Sequence, residues 1–467
     1  MKFRGLTLCL AVLGLLARSH ATAGDPSLVP ASARMFRLAN GLSVLLAPDT
    51  LTATVDVALW FPAGARFERA GRTGLTHLFD GLLFAGTPGH PAGEHQRLIQ
   101  RVGGTLGVLS TPDFTYLTEN VPPAALELAL ALEADRMAHL NLNAGTLEPA
   151  RAVMRREHEG GPEGGALGQG LRRLYEVVFA GHPYRWPSTG VPSDLANITL
   201  ADCRAFYHDH YGPDGALLTL AGRFDPAAAE TLVRRTLGAL PRRPVVRAEP
   251  APVKPQTLER RASGATLAQV PLMLIGWRTP PDRDPDAAAL DVIDHVITHG
   301  TRSSLDRTLT AGESGCLAAS GGLDLRRDAG LFYVAAAIRP DADTAAVERE
   351  VLAQIQTLIG HASDPAVFEA AQRQTEVETL FGWQTTQGFG RALGTAVCVD
   401  GAASGAARRL EHVRQLTPAT LREAAERTFA ARNRSVVWLR PGPQPPTERP
   451  ARSPTTKAAA AHSRGGR

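Results

Sequence analysis

Two side chains that can do chemistry lie close together in an apolar segment of the N-terminal half. His77 and Asp80 are three residues apart within 75–84, where apolar residues recur at the spacing of a helix. Positions i and i+3 of a helix share one face, so the imidazole and the carboxylate are expected to be neighbours. Such groups serve as metal ligands or as general bases. The alternative is that His77 is simply a core or pocket histidine.

The elements around this segment follow an alternation of short strands and long helices. Runs of β-branched and apolar residues predict strands at 42–46, 53–60 and 216–221, and helical spacing predicts helices at 75–84, 124–140 and 147–159. The second half has the same alternation, with predicted strands at 270–277, 331–338 and 435–439 and predicted helices at 287–297, 345–358 and 418–429. Thr417 is the expected N-cap of the last helix, with Pro418 at its first position. The pattern predicts an α+β fold of two tandem, homologous domains, each an antiparallel-rich sheet packed with helices.

Composition sets the expected boundaries of these domains. Residues 241–258 are rich in proline and basic side chains and predict an extended linker between domains at 33–240 and 259–440. Residues 441–467 combine prolines, an alanine run and glycines, which predicts a disordered tail.

The first 23 residues have the pattern of a secretory signal peptide. A basic start with Lys2 and Arg4 precedes an apolar run at 6–17 and an Ala-x-Ala site at 21–23. We therefore expect a secreted protein, periplasmic if the source is a Gram-negative bacterium. The alternative is that the apolar run is kept as an anchor. No later segment reaches the ~18 apolar residues that a membrane span needs.

The charge of the chain is misleading as a guide to partners. The formal charge of the 467 residues is +4, but residues 1–23 contribute +3 and residues 441–467 contribute +4, so the body between them carries −3. A mildly acidic body argues against a nucleic-acid-binding protein.

The segment Gly74-Leu-Thr-His-Leu-Phe-Asp-Gly, followed by Phe84-Ala-Gly-Thr87, resembles the insulinase/pitrilysin zinc peptidases, or inverzincins, whose helix carries H-x-x-E-H. In that family the two histidines hold zinc, the glutamate activates the bound water, and a later helix supplies a third ligand. The resemblance assigns His77 to the first ligand and Glu157 to the third. It also implies that the two domains form half of a clamshell chamber.

The departures from the family motif bear directly on activity. Gly81 stands at the second ligand position and has no side chain, and Asp80 stands at the general-base position with one methylene less than glutamate. A catalytic zinc normally has three protein ligands, so zinc affinity is expected to be much reduced. His158 should point away from the site, about 100° around the helix from Glu157.

The resemblance also covers the residues that would hold a peptide. Gly107, Val108 and Ser110 match the strand that pairs with extended substrate. The arginine and tyrosine that grip the peptide carbonyl in active members fall on Thr310 and Ala318. Four further histidines have no partners at metal-ligand spacing and are predicted to be on the surface: His90, His95, His208 and His210.

Three functional hypotheses follow. The first is a non-catalytic subunit that binds peptide or unfolded polypeptide and pairs with a homologous zinc-bearing chain as a heterodimer, or with itself as a homodimer. The second is an unusual zinc endopeptidase that uses His77, Asp80 and Glu157. The third is a stand-alone peptide-binding or assembly factor.

Overall fold

The computed structural model describes residues 33–161, 164–244, 249–300, 303–311 and 315–442. The predicted signal peptide lies outside these residues, as does the predicted tail apart from 441 and 442. The described strands are β1 (Arg34–Arg37), β2 (Ser43–Pro48), β3 (Val55–Phe61), β4 (Thr105–Ser110), β5 (Thr115–Val121), β6 (Leu217–Gly222), β7 (Arg260–Thr266), β8 (Leu272–Thr279), β9 (Cys316–Asp324), β10 (Gly330–Ile338) and β11 (Arg434–Pro441).

The helices alternate with these strands in both halves. They are α1 (Leu75–Leu82), α2 (Glu94–Arg101), α3 (Leu126–His139), α4 (Ala144–Gly160), α5 (Ala166–Val178), α6 (Pro192–Leu195), α7 (Leu200–His210), α8 (Pro226–Arg235), α9 (Asp286–Thr298), α10 (Ser304–Ala311), α11 (Thr344–His361), α12 (Pro365–Gly382), α13 (Thr386–Asp400), α14 (Ser404–Gln415) and α15 (Pro418–Thr428). As predicted, Thr417 caps α15: its side chain accepts a hydrogen bond from the Thr420 backbone N–H.

The two halves contain sheets of the same topology. The first sheet has the strand order β1-β2-β6-β3-β5-β4, and the second has the order β7-β11-β8-β10-β9. Strands β2 and β6 pair in parallel, as do β7 and β11, and the other pairs in both sheets are antiparallel. From β2 onwards, each strand of the first sheet therefore has a counterpart in the second. The α+β fold class with two homologous halves is confirmed.

One helix from each half packs on the sheet of the other half. Helix α5 packs on β7, β8 and β11 of the second sheet, whereas α13 packs on β3 and β6 of the first. Glycine allows the close approach of α13, because a Cβ placed at Gly394 would lie 2.1 Å from the Trp60 ring atom Cε2. The Trp60 indole is fully buried there and donates a hydrogen bond to Thr219 Oγ1 at 3.0 Å. The halves are thus linked by exchanged helices as well as by the continuity of the chain.

A buried polar network adds to this contact between the halves. The Arg66 guanidinium donates to Asp328 Oδ2 at 2.6 Å across the junction. The Tyr184 hydroxyl donates to Asp113, and the same carboxylate accepts the Arg327 backbone N–H at 3.1 Å. Charged side chains this deep are tolerated because each has an oppositely charged or hydrogen-bonding partner.

Among the described helices, none has the length and apolar character required to cross a membrane.

Candidate functional site

Helix α1 presents the candidate site on the face that is turned away from the core. Its apolar side chains Leu75, Leu78 and Phe79 are buried, which leaves His77 and Gly81 on the opposite side. The helix begins after Gly74, whose φ of +91° is readily adopted only by glycine. No residue of α1 caps this end.

A buried carboxylate fixes the start of α1 instead. Glu68 accepts the backbone N–H groups of Gly74 and Thr76, each at 2.7 Å. Burial raises the pKa of Glu68 to about 7, although the two N–H donors act in the opposite direction. Glu68 thereby satisfies helix N–H groups that have no partner within the helix, and it sets the position of the residues that follow.

His77 lies between two carboxylates. Its Nδ1 is 3.0 Å from Asp80 Oδ2, and its Nε2 is 2.9 Å from Glu157 Oε2 on α4. Burial alone would lower the pKa of His77. The hydrogen bonds to Asp80 and Glu157, together with the negative charges of these two carboxylates, outweigh burial and raise the pKa to about 9. Both ring nitrogens are therefore engaged with carboxylates.

Asp80 has a second partner on the neighbouring strand. The Ser110 hydroxyl donates to Asp80 Oδ2 at 2.8 Å, so this oxygen is shared between Ser110 and His77. Asp80 Oδ1 is buried and has no hydrogen-bond partner among the described residues. Asp80 thus ties α1 to β4, and Ser110 uses its hydroxyl for this contact.

Gly81 faces helix α4. A Cβ placed at Gly81 would be 3.5 Å from the Ala150 Cβ, which is an ordinary van der Waals distance. His158, next to Glu157, points elsewhere: its Nε2 is 3.0 Å from the Thr189 carbonyl oxygen. As expected from the helix geometry, His158 does not replace the missing ligand.

The residues present do not provide a three-ligand zinc site on α1. Of the three ligand positions of the family, two hold a residue that can bind zinc, His77 and Glu157. The third holds Gly81, which has no side chain. Among the described residues, two sets of three metal-ligand side chains have ligand atoms within 4.8 Å of one another, and neither set contains His77. A catalytic zinc has three protein ligands, so the residues present at this site do not fit the metal that the family motif holds.

The predicted peptide-binding residues lie on an edge strand beside α1. In the sheet order β4 is terminal, with β5 on one side and none of the described strands on the other. Gly107 and Val108 are half-buried there, and Ser110 is buried against Asp80. An edge strand offers unpaired backbone groups to an extended peptide.

The two positions at which active family members carry the arginine and the tyrosine that hold the peptide carbonyl lie on different elements of the second half. Thr310 is on α10, where its hydroxyl donates to the Asp306 carbonyl oxygen at 2.7 Å, and Ala318 is exposed on β9. Neither side chain can donate a guanidinium or phenol hydrogen bond to a peptide.

One prediction about the remaining histidines was wrong. His95 and His210 are buried rather than on the surface. His95 Nε2 contacts Glu119 Oε1, and burial is the main cause that lowers the pKa of His95 to about 4. The residues that surround His95 come from β5 and α3. The spacing of residues near His95 in the sequence does not indicate such non-local contacts.

Comparison with known proteins agrees with this architecture. Residues 43–160 match the family model described as Insulinase (Peptidase family M16), and residues 197–375 match the model described as Peptidase M16 inactive domain. Zinc protease PqqE of Helicobacter pylori is 26% identical over 330 residues, which is 69% of this chain and 73% of that protein. The mitochondrial-processing peptidase subunit beta of Blastocladiella emersonii is 25% identical over 237 residues, which is 48% of this chain and 49% of that one.

Solved structures show the same fold. A protease from Helicobacter pylori superposes with a TM-score of 0.81 at 22% identity, covering 88% of this chain and 99% of that one. The periplasmic protease PqqL from Escherichia coli gives a TM-score of 0.68 at 14% identity, covering 87% of this chain and 47% of that one. With both family models matched in order along the chain, the chain belongs to the insulinase (M16) peptidase family.

Proposed function

We propose that this chain is a non-catalytic member of the insulinase family that binds peptide or unfolded polypeptide. The main support for the proposal is the arrangement of residues at α1. The second ligand position is Gly81, and the His77 ring is hydrogen-bonded to both Asp80 and Glu157. The relatives named above include a zinc protease, and zinc at the α1 site of this chain is expected to be weakly held for want of a third ligand.

The edge strand β4 supports peptide binding in the absence of hydrolysis. It is tied to α1 by the Ser110–Asp80 hydrogen bond, and its outer edge has no partner strand among the described residues. Backbone hydrogen bonds to such an edge provide affinity with little dependence on sequence. A peptide added to β4 would pass the His77 face of α1.

Pairing with a homologous chain that carries an intact H-x-x-E-H motif is the second element of the proposal. One relative is named as the beta subunit of a processing peptidase, which is a precedent for a chain of this family that works together with another subunit. Export is the third element: it rests on the composition of residues 1–23 and on the periplasmic origin of one structural neighbour.

A proline scan of β4 tests peptide binding. Backbone N–H groups of successive strand residues alternate between the two edges, so one of Gly107→Pro and Val108→Pro removes an N–H from the open edge and spares the pairing with β5. We expect that variant to fold normally and to lose affinity for a fluorescent unfolded polypeptide in anisotropy titrations.

The matched control uses the equivalent edge strand β9. Leu317→Pro and Ala318→Pro are changes of the same kind on the strand that ends the second sheet, and we expect them to leave the affinity unchanged. Unaltered binding in every folded β4 variant would contradict the assignment of the edge. Absence of binding by the unmodified chain would contradict peptide binding itself.

Co-expression tests the pairing. A homologue with H-x-x-E-H should co-elute with this chain in size-exclusion chromatography, and hydrolysis by the pair should depend on the homologue's motif alone. If this chain binds peptide but forms no complex with the homologue, the pairing is wrong and the protein acts by itself.

A further inference from the structure

A second group of metal-ligand side chains lies in the C-terminal half, far in sequence from α1. His295 and His299 are four residues apart at the C-terminal end of α9, and Glu378 reaches them from α12. These three residues, called the C-terminal cluster below, have ligand atoms within 4.8 Å of one another. His295 Nδ1 is 3.6 Å from Glu378 Oε2, and the two imidazole rings stack with centroids 4.7 Å apart.

These distances suit a small divalent cation. Zinc bonds of about 2.0–2.2 Å to nitrogen and oxygen place the ligand atoms of a tetrahedral site about 3.3 Å apart, so the cluster needs only small side-chain rotations. Two histidines at i and i+4 on one helix, with a carboxylate from another element, are a recurrent way to hold zinc.

The surroundings favour a cation. His299 is the C-cap of α9, where the free carbonyl groups of a helix carry partial negative charge. Its Nδ1 is 3.3 Å from the Asp294 carbonyl oxygen, a contact of the kind that orients a metal-binding imidazole. The side chains of His299 and Glu378 are 44% and 49% exposed, so a metal can enter from solvent.

The internal duplication puts this cluster at the counterpart of the α1 site. Helix α9 follows β8 as α1 follows β3, and α12 packs on α9 as α4 packs on α1. His295 stands five residues before a Gly-Thr pair and directly after an aspartate, as Gly81 does. Glu378 is the fourteenth residue of α12, and Glu157 is the fourteenth residue of α4.

We propose that the C-terminal cluster of His295, His299 and Glu378 is a binding site for a divalent transition-metal ion, with Zn²⁺ as the physiological candidate. The C-terminal half thus offers three ligands at this position, whereas the α1 site offers two, His77 and Glu157. A metal there joins the end of α9 to α12 and keeps one coordination position open to solvent.

Cobalt titration of the full, metal-free chain without an affinity tag tests the proposal. Co²⁺ is the probe, because its visible absorption reports inner-sphere ligands, and Zn²⁺ is then added to displace it. We expect about one Co²⁺ per chain and a higher melting temperature when the metal is bound. His295→Gln, His299→Gln and Glu378→Gln should each weaken the affinity by at least about tenfold.

Two control variants separate this cluster from other sites. His208→Gln removes an exposed histidine on α7 and should bind Co²⁺ like the unmodified chain. His77→Gln removes the α1 imidazole and should keep the one tight Co²⁺ site, losing at most the weak binding at α1. Circular dichroism of the metal-free variants verifies folding, and Glu378→Gln, at a half-exposed side chain, remains informative if a histidine variant is unstable. The proposal is wrong if the unmodified chain binds no Co²⁺, or if folded cluster variants bind it equally well.

Discussion

Gly81 on α1 and Ala150 on α4 face each other at van der Waals distance, with 3.5 Å between a Cβ placed at Gly81 and the Ala150 Cβ. The family's second zinc ligand would extend from this position. The two small residues bring α1 and α4 into direct contact. Among the described residues, the hydrogen-bond partners of the His77 ring are the carboxylates of Asp80 and Glu157. The absence of a histidine here is therefore the feature from which the functional proposal starts.

Restoring the motif should restore zinc binding at α1. The change is Gly81→His with Asp80→Glu in a His299→Gln background, so that the C-terminal cluster does not contribute. With His77 and Glu157 the site then has three ligands. Zinc at a hundredfold excess over its dissociation constant stabilises the folded state by about 2.7 kcal/mol, which a thermal melt detects.

The control for this restoration is Gly81→Ala with Asp80→Glu. In the same His299→Gln background it provides a gain in helix propensity of up to about 1 kcal/mol, at least as large as the gain from histidine, without the imidazole. Adding Glu157→Gln to the restored variant should abolish the zinc response. A folded double variant that does not respond to zinc would show that Gly81 is not the ligand position.

The exchanged helix α13 gives a prediction about stability. Gly394→Ala places a methyl group into the Trp60 ring, and overpacking of this kind costs about 1–3 kcal/mol. Gly382→Ala is the matched change, since no atom lies within 4 Å of a Cβ at that helical position. Urea unfolding should show a loss for the first variant and no loss for the second. Equal effects would mean that α13 does not pack on Trp60.

The buried Asp56 carboxylate should make stability depend on pH. Burial raises its pKa from 3.8 to about 7, although the Thr118 hydroxyl donates to it. The folded state thus binds a proton that the unfolded state has released between pH 4 and 7, and this contribution to stability falls as pH rises through that window, by up to about 1.4 kcal/mol per pH unit.

Asp56→Asn tests this dependence by mimicking the neutral acid. The variant should match the unmodified chain near pH 4 and be more stable at pH 8, as measured by guanidinium unfolding at both values. Asp341→Asn changes a side chain that is 81% exposed and serves as the control. A variant less stable than the unmodified chain at pH 8 would contradict the expected sign.

The parts of the structure that depend on local pattern were predictable. Helices α1, α4 and α9 lie within a few residues of their predicted bounds, because their apolar residues recur at helical spacing. The exchange of α5 and α13 was not predictable, since an amphipathic helix does not specify which sheet it covers. Gly390 and Gly394 also weaken the helix signal of α13 at the positions where the close approach requires them.

Some residues of the candidate site were likewise predictable from the sequence, and others were not. His77, Asp80 and Glu157 were placed by the spacing of a family motif, and the structure brings them together. The Glu68 cap of α1 and the Ser110–Asp80 bond were missed, because each joins separate elements through one side chain. The C-terminal cluster was missed for a similar reason, since the closeness of Glu378 depends on the packing of α12 on α9.

The most direct test of the central claim is hydrolysis of an unfolded polypeptide by the purified full chain supplied with Zn²⁺, followed by mass spectrometry. The claim predicts that the polypeptide is bound and remains intact, with no more products than from a variant carrying His77→Ala and Glu157→Gln. Cleavage products that disappear in that variant and on addition of a chelator would contradict the claim and establish the chain as a zinc peptidase.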